Sequence, residues 1–390
     1  MSTSKKLFAI LVICALAIPM IASATVTRMI GLGGADVTYI TKDQSNSGPW
    51  PQLIKRYGNR AGAEFGYTNT GWDASAVWAT YDFGDDKSVL YFSLNKNQVN
   101  KYTEMPDAVG DGNGINNALH IKYGRPLGEN MLIGAAVTYA AEGYTQKLTS
   151  GERTISASDI GLDLGISCMK NNWDLGLGFD MASFTDETGS TKNSEPNGMM
   201  GLHLDGRWWY NYSETASLIP NIRFNMLSDG SKAIGGVETS HNTTAFSIGA
   251  GHNWWPADNA LIIFDFGFSM KSTAHEFKPA TTPSSDSTSS WSAMPYWRVG
   301  AETKIFGWLD GRLGAERFWS SMTPNGDRDD EMTMSKMMTN TYVGATAHWN
   351  RLSLDLLVHP DFLMKGPYFV SGDQTTDMFS QVSLVYDFKK

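Results

Sequence analysis

From Trp173 to Met181 the chain reads WDLGLGFDM, with Trp173, Leu175, Leu177, Phe179 and Met181 alternating with Asp174, Gly176, Gly178 and Asp180. Successive side chains of a β-strand point to opposite faces, so a strand here has one apolar face and one polar or empty face. The same period of two recurs along the chain. Ile160, Leu162, Leu164 and Ile166 oppose Asp159, Gly161, Asp163 and Gly165. Leu202, Leu204 and Trp208 oppose His203, Asp205 and Arg207, and Ile262, Phe264, Phe266 and Phe268 oppose Asp265, Gly267 and Ser269. Near the end, Leu352, Leu354 and Leu356 oppose Ser353 and Asp355. About 16 such segments, each of roughly 9–14 residues, fit between Arg60 and Phe388, and a count of about 14 is the alternative. The alternation is weakest in the first two.

The connections sort by length. Short turns are expected near Gly84–Asp86, Gly128–Asn130, Asn171–Asn172, Asn211–Ser213, Pro256–Asn259, Gly307 and Asn350–Arg351. Between them lie long polar stretches expected as loops: Asn95–Gly114, Thr145–Arg153, Thr185–Asn197, Ser228–Ser240, Ser272–Ser292, Ser321–Ser335 and Lys365–Gln374. Strict alternation of short and long connections is the signature of a transmembrane antiparallel outer-membrane β-barrel, with periplasmic turns at one end and extracellular loops at the other. The apolar faces then meet lipid, and the polar faces a hydrated lumen. The expected organisation is a signal peptide over 1–24, an N-terminal periplasmic segment over 25–59 and the barrel over 60–390.

The start of the chain adds the compartment. Lys5 and Lys6 precede the apolar run Leu7–Ile21, and Ala22-Ser23-Ala24 supplies a small-residue cleavage site, the pattern of a secretory signal peptide. That run is too short for a membrane-spanning helix and holds Pro19. Cleavage after Ala24 leaves Cys168 as the single cysteine, so neither an internal disulfide nor a cysteine metal cluster is expected. The formal charge of −9 becomes −11 once the two signal lysines are taken away. A balance this acidic argues against nucleic acid as partner. The expected partners are outer-membrane lipid, small-molecule solutes and the export and barrel-assembly machinery, with an oligomer possible.

Candidate chemistry sits on the polar faces. Lys122, Asp163, Asp174, Asp180, Asp205, Arg207, Arg223, Asp265, Arg298, Glu302, Arg312, Glu316 and Asp355 are the candidate pore-lining residues. Charges of both signs on a lumen wall can set solute selectivity, or they can bridge neighbouring strands. Tryptophans such as Trp78, Trp208, Trp254, Trp319 and Trp349 are expected in interfacial girdles, where an indole buries its ring and keeps its N–H wet. The acidic runs Asp107–Asn117 and Asn325–Glu331 lack calcium-loop spacing. No G-x-S-x-G nucleophile motif occurs. No catalytic residue, metal site or cofactor is therefore expected, and the first functional expectation is a porin-like channel for passive passage of small polar solutes.

One segment is not periodic. Residues 25–59 begin TVTRMIGLGGADVTYITKDQSNSGPWPQ. An R-x-x-G-L-G-G-A run followed by a polar stretch with Asp and Pro resembles the start of the FadL-type and PorV-like outer-membrane barrels. The matching residues are Arg28, Gly31, Gly33, Gly34, Ala35, Asp43 and Pro51. The usual Asn-Pro-Ala is absent, because Trp50 precedes Pro51 and Gln52 follows it. The resemblance implies that Gly31, Gly33, Gly34, Asp43 and Pro51 belong to a hatch entering the barrel from the periplasmic end. It also brings two further expectations: a transporter of hydrophobic compounds, or a non-transporting scaffold or secretion partner.

Overall fold

The computed structural model describes residues 25–68, 71–84, 88–96, 117–149, 151–170, 172–233, 235–278, 285–325, 334–359, 362, 366 and 378–388. The strands form one antiparallel sheet closed on itself. In chain order they are β1 Arg60–Thr68, β2 Gly71–Asp82, β3 Val89–Lys96, β4 Asn117–Leu127, β5 Met131–Leu148 and β6 Gly151–Cys168. Next come β7 Trp173–Thr188, β8 Thr191–Pro196, β9 Met200–Trp208, β10 Tyr210–Ser213, β11 Ala216–Ala233 and β12 Glu238–Ala257. The last are β13 Ala260–Lys278, β14 Ser285–Phe306, β15 Leu309–Asn325, β16 Met334–Trp349, β17 Leu352–Val358 and β18 Phe379–Asp387. β8, β9 and β10 are three pieces of one stave: β8 and β9 bridge β7 and β11, and β10 continues along β11. The wall therefore has 16 staves. β1 pairs with both β2 and β18, and the closing seam sets Arg60 opposite Asp387 in an ion pair of 2.7 Å. Closure removes the unpaired sheet edge that a membrane strand cannot expose.

The opening segment shows which face is which. In β7 the odd positions Leu175, Leu177, Phe179 and Met181 are exposed, while Asp174, Gly176, Gly178 and Asp180 are buried. The apolar face is thus the outside of the barrel, and the small polar face looks inward. The outer surface carries Ile160, Leu162, Leu164, Ile222, Ile248, Phe264 and Phe266 as exposed apolar side chains. In water such a surface would be a large apolar patch; in a bilayer it is the solvated one. No helix among the described residues is long and apolar enough to cross a membrane.

Three sequence expectations need correction. The turn expected at Asn211–Ser213 is part of β10, and the chain turns just after it, at residues 214–215. Most of the described residues in the stretches expected as long loops are strand; the expected loops Asn95–Gly114 and Lys365–Gln374 lie almost wholly outside the described residues. β5 and β6 run in register up to Leu148 and Gly151, β11 and β12 up to Lys232 and Glu238, and β13 and β14 up to Phe277 and Ser285. The ladder continues where the apolar period fades, since a hydrogen-bonded hairpin needs no apolar face once it has left the lipid. The runs Asp107–Asn117 and Asn325–Glu331 lie almost wholly outside the described residues. Trp78 is not a girdle residue: it is 7% exposed and points inward, lying over Gly62 and stacked on Tyr91 at 6.3 Å. Trp208, Trp254, Trp319 and Trp349 are exposed on the outer face.

Residues 25–59 occupy the lumen. Thr25 caps the helix Val26–Gly31 by accepting a bond from the Arg28 N–H at 3.1 Å. Three short 3-10 turns follow, Ala35–Tyr39, Gln44–Ser47 and Pro51–Arg56, the second closed by a capping box between Asp43 and Asn46. Asn59, in the left-handed region at φ 60°, turns the chain into β1. Met29, Leu32, Val37 and Ile40 pack with the inward wall residues Trp209, Ile219 and Ile263. Trp50 and Leu53 pack with Leu132. Leu132, Ile219 and Ile263 stand near the short-turn ends of β5, β11 and β13, so the plug packs against the wall toward that end of the barrel.

Candidate functional site

The socket around the plug is built from wall glycines and wall charges. Gly124, Gly134, Gly165 and Gly176 lie opposite one another across β4, β5, β6 and β7. A Cβ on Gly134 would collide with the Gln52 backbone, and one on Gly176 with the Pro49 carbonyl oxygen. The empty inward positions of the sequence pattern are thus places where plug backbone touches wall backbone. On the opposite side, Gly300 and Gly314, paired across β14 and β15, receive Leu32 and Gly33 in the same way.

Charge holds the plug at two poles. At the first, Arg28 donates to Asp43 at 2.8 Å within the plug and to Glu302 of the wall at 2.8 and 2.6 Å. Arg312 joins Glu302 to Asp355, which also accepts from the Thr25 hydroxyl at 2.7 Å. Burial disfavours the Arg28 charge, but Glu302 and Asp43 outweigh it and hold its pKa above the ordinary value. At the second pole, Asp36 of the plug accepts from Arg223 at 2.7 Å and from Arg298 at 2.8 Å. Asp36 lies inside the barrel with one side open to the lumen; the loss of bulk water around it raises its carboxyl, yet the two guanidinium groups prevail and keep it below its usual range. Between the poles, Arg207 pairs with Asp174 at 2.8 Å and donates to the carbonyls of Thr38, Tyr39 and Thr41. It also lies over the Trp50 ring at 4.0 Å. Asn253 and Lys122 donate to the carbonyls of Ile40 and Ser47 at 2.7 and 2.9 Å.

The candidate pore-lining residues all belong to wall strands, and the structure brings most of them to the plug. Lys122, Arg207, Arg223, Arg298, Glu302 and Asp355 touch it directly through the bonds above. Asp174, Asp265, Arg312 and Glu316 reach it through an arginine or a glutamate of the wall. Asp205 also touches the plug, its backbone carbonyl accepting from the Trp50 indole N–H at 3.3 Å; Asp163 and Asp205 flank His203, at 3.4 and 3.8 Å, and Asp180 lies over Gly161. Of the hatch candidates, Gly31, Gly33 and Gly34 lie against β14, β15 and β16, while Asp43 and Pro51 lie within the plug body. The alternation pattern gave no sign of Asp36, Tyr39, Trp50 or Gln52, because those residues sit in a stretch with no period.

Above the second pole a cavity of about 400 Å³ opens on the plug surface. Asp36, Tyr39, His203, Asp205, Arg223 and Ser247 are among its lining residues. Farther toward the long-loop end, Ala118, Ala140, Ala157, Phe184 and Met199 form an apolar patch on the inward side of β4 to β7 and the break after β8, with Ala182 and Leu227 against it. Among the described residues no group of three or more His, Cys, Asp or Glu side chains is arranged to hold a metal ion.

No protein-family model matches the chain, and no curated protein does. Among solved structures it is similar to a FadL homologue from Pseudomonas aeruginosa, at 12% identity and TM-score 0.43, over 95% of this chain and 99% of that one. It is similar to the monoaromatic hydrocarbon channel TodX, at 11% identity and TM-score 0.39, over 87% of this chain and 93% of the other. CdiB from Escherichia coli is also similar, at 11% identity and TM-score 0.45, over 84% of this chain and 62% of that chain. The barrel assignment rests on the strand registers of this chain itself.

Proposed function

We propose that the protein is an outer-membrane channel closed by its own N-terminal segment, which passes solute when that segment yields. One observation carries this reading: residues 25–59 lie in the lumen toward the short-turn end, with Met29, Leu32, Val37, Ile40, Trp50 and Ile54 wholly buried and the segment ion-paired to the wall. A porin for unassisted passage needs a continuous wet path. Here such a path requires movement of the plug. The apolar outer belt suits a bilayer, and the closed barrel suits an outer membrane. The cavity lining is mixed, with Pro49, Phe224 and Phe246 beside the polar groups, and it is the charged side chains Asp36, Asp205 and Arg223 that favour small hydrophilic solutes. Carriage of hydrophobic compounds is the second reading, and the apolar patch around Phe184 and Met199 favours it.

Planar-bilayer conductance tests the proposal. The chain from Thr25 should give rare, brief openings, and a chain lacking residues 25–57 should give sustained large steps. A folded barrel without the plug that stays silent would instead support a non-transporting role.

A further inference from the structure

The wall charges are not all balanced in the same way. Arg312 keeps Glu302 and Asp355, Arg207 keeps Asp174, and Arg298 keeps Asp265 and Glu316, all within the wall. Among the described wall arginines held in ion pairs, Arg223 is the one whose carboxylate comes only from the plug. Its other side-chain acceptor is the Ser247 hydroxyl at 3.2 Å, and its Nε–H is buried without a partner. If the plug leaves, Arg223 loses its one direct ion-pair partner, and the wall carboxylates Asp205, opposite it on β9, and Asp265 act on it only at longer range, a costly state for a partly buried cation. Asp36, conversely, is the most open member of the latch: its side chain is 39% exposed, against 19% for Arg223 and 10% for Arg298. Both Asp36 and Arg223 line the cavity. A solute in that cavity can therefore reach both sides of the ion pair.

We infer that Arg223, Arg298 and Ser247 form an oxyanion-binding site for a small polar solute bearing a carboxylate or phosphate, that Asp36 occupies this site as a built-in stand-in, and that exchange of the solute for Asp36 unlatches the plug. This rests on the channel reading above and names the solute class that would open it. The chemistry is like for like. A planar guanidinium takes a carboxylate or phosphate oxygen pair with the geometry it gives to Asp36. The exchange leaves the charge of the site unchanged for a monoanion. Asp205 and His203 face the same cavity and bound its size, and the Tyr39 ring lies 4.3 Å from the Arg223 guanidinium as a floor. Coupling is reciprocal: whatever the anion does to the plug, removal of the plug carboxylate does to the anion's affinity.

Calorimetry of the folded chain from Thr25 in detergent, titrated separately with succinate and with inorganic phosphate, tests this. Asp36→Asn removes the competitor, so the favoured anion should bind about tenfold or more tightly to it than to the unsubstituted protein. Adding Arg223→Gln to Asp36→Asn should abolish that binding. A preference for succinate assigns a carboxylate solute, and a preference for phosphate assigns a phosphorylated one. Equal affinity with and without Asp36→Asn, or tight binding that survives Arg223→Gln, would overturn the inference. A measurement without variants guards against misfolding. Trypsin cleavage at Lys42 and Lys55 of the plug should quicken with the favoured anion and not with chloride at equal ionic strength; equal rates would also overturn it. Conductance separates the two claims. Tight binding by an Asp36→Asn barrel that never conducts would sink the channel reading alone. An Asp36→Asn barrel that conducts but binds neither anion would sink this inference alone.

Discussion

The glycines of the inner face show how much one atom decides. Gly134 and Gly176 have outward neighbours that satisfy the lipid side, and their inward side is filled by the backbone of Gln52 and Pro49. A methyl group there has no space unless the plug moves. Gly176→Ala should therefore weaken plug seating by about 1–3 kcal/mol, the usual cost of overpacking. Tryptic cleavage within residues 25–59 should accelerate while the barrel stays folded; unchanged cleavage would mean that the contact is slack. Arg207→Met should act more strongly, by about 3–5 kcal/mol, because it strands the buried Asp174 carboxylate and releases three plug carbonyls. Asp174→Asn in the same chain should recover part of the loss. Only half of this was legible in the sequence. The alternation of Asp174 and Gly176 with Leu175 and Leu177 correctly assigned the two faces, since the period of a strand is local geometry. What the inward face meets is a contact between residues more than a hundred positions apart, as in Gln52 beside Gly165, and no local pattern encodes it.

At the scale of elements, the plug is a helix and three short turns, none of them long enough to be stable alone in water. Its order comes from the wall. A segment of this kind is suited to release, because loss of a few wall contacts removes most of what keeps it folded. If Asp36 is the latch, as proposed above, it fixes the pH at which release occurs. Its carboxyl is held below the ordinary value by Arg223 and Arg298, so its contribution is present in full above the usual carboxylate value of about 3.9 and is lost as pH falls through the lower, latched value. The channel should stay closed from neutral pH down to about pH 5 and open only in more acid solution. In Asp36→Asn that part of the pH response should vanish. Opening of the unsubstituted channel between pH 7 and 5 would assign the latch to another group. The sequence offered the plug only through the resemblance of Arg28, Gly31, Gly33 and Gly34 to a known N-terminal run. Aperiodic segments carry no face to read. The polar hairpin extensions were hidden for the opposite reason: β5–β6 and β13–β14 continue as ladders of backbone bonds after their side chains stop alternating.

The whole molecule is a lipid-facing cylinder with an ionic and glycine-lined interior matched to its own N-terminus. Fourteen or 16 staves could be read from the sequence. The register of every described pair, with β8, β9 and β10 as one stave, fixes 16. The charged interior that suggested an open aqueous lumen is largely consumed in seating the plug, as Glu302 with Arg28 and Arg223 with Asp36 show. The central claim is therefore that residues 25–59 are the barrier and that they must move. The Thr27 and Ser383 hydroxyls, one on the plug and one on β18, lie 2.5 Å apart and offer a place to test it. Thr27→Cys with Ser383→Cys, in a Cys168→Ser background, should staple the plug to the wall when oxidised. The decisive measurement is bilayer conductance of this variant in favoured anion before and after reduction. The account predicts silence when oxidised and discrete openings once reduced; openings of equal size and frequency in both states would contradict it.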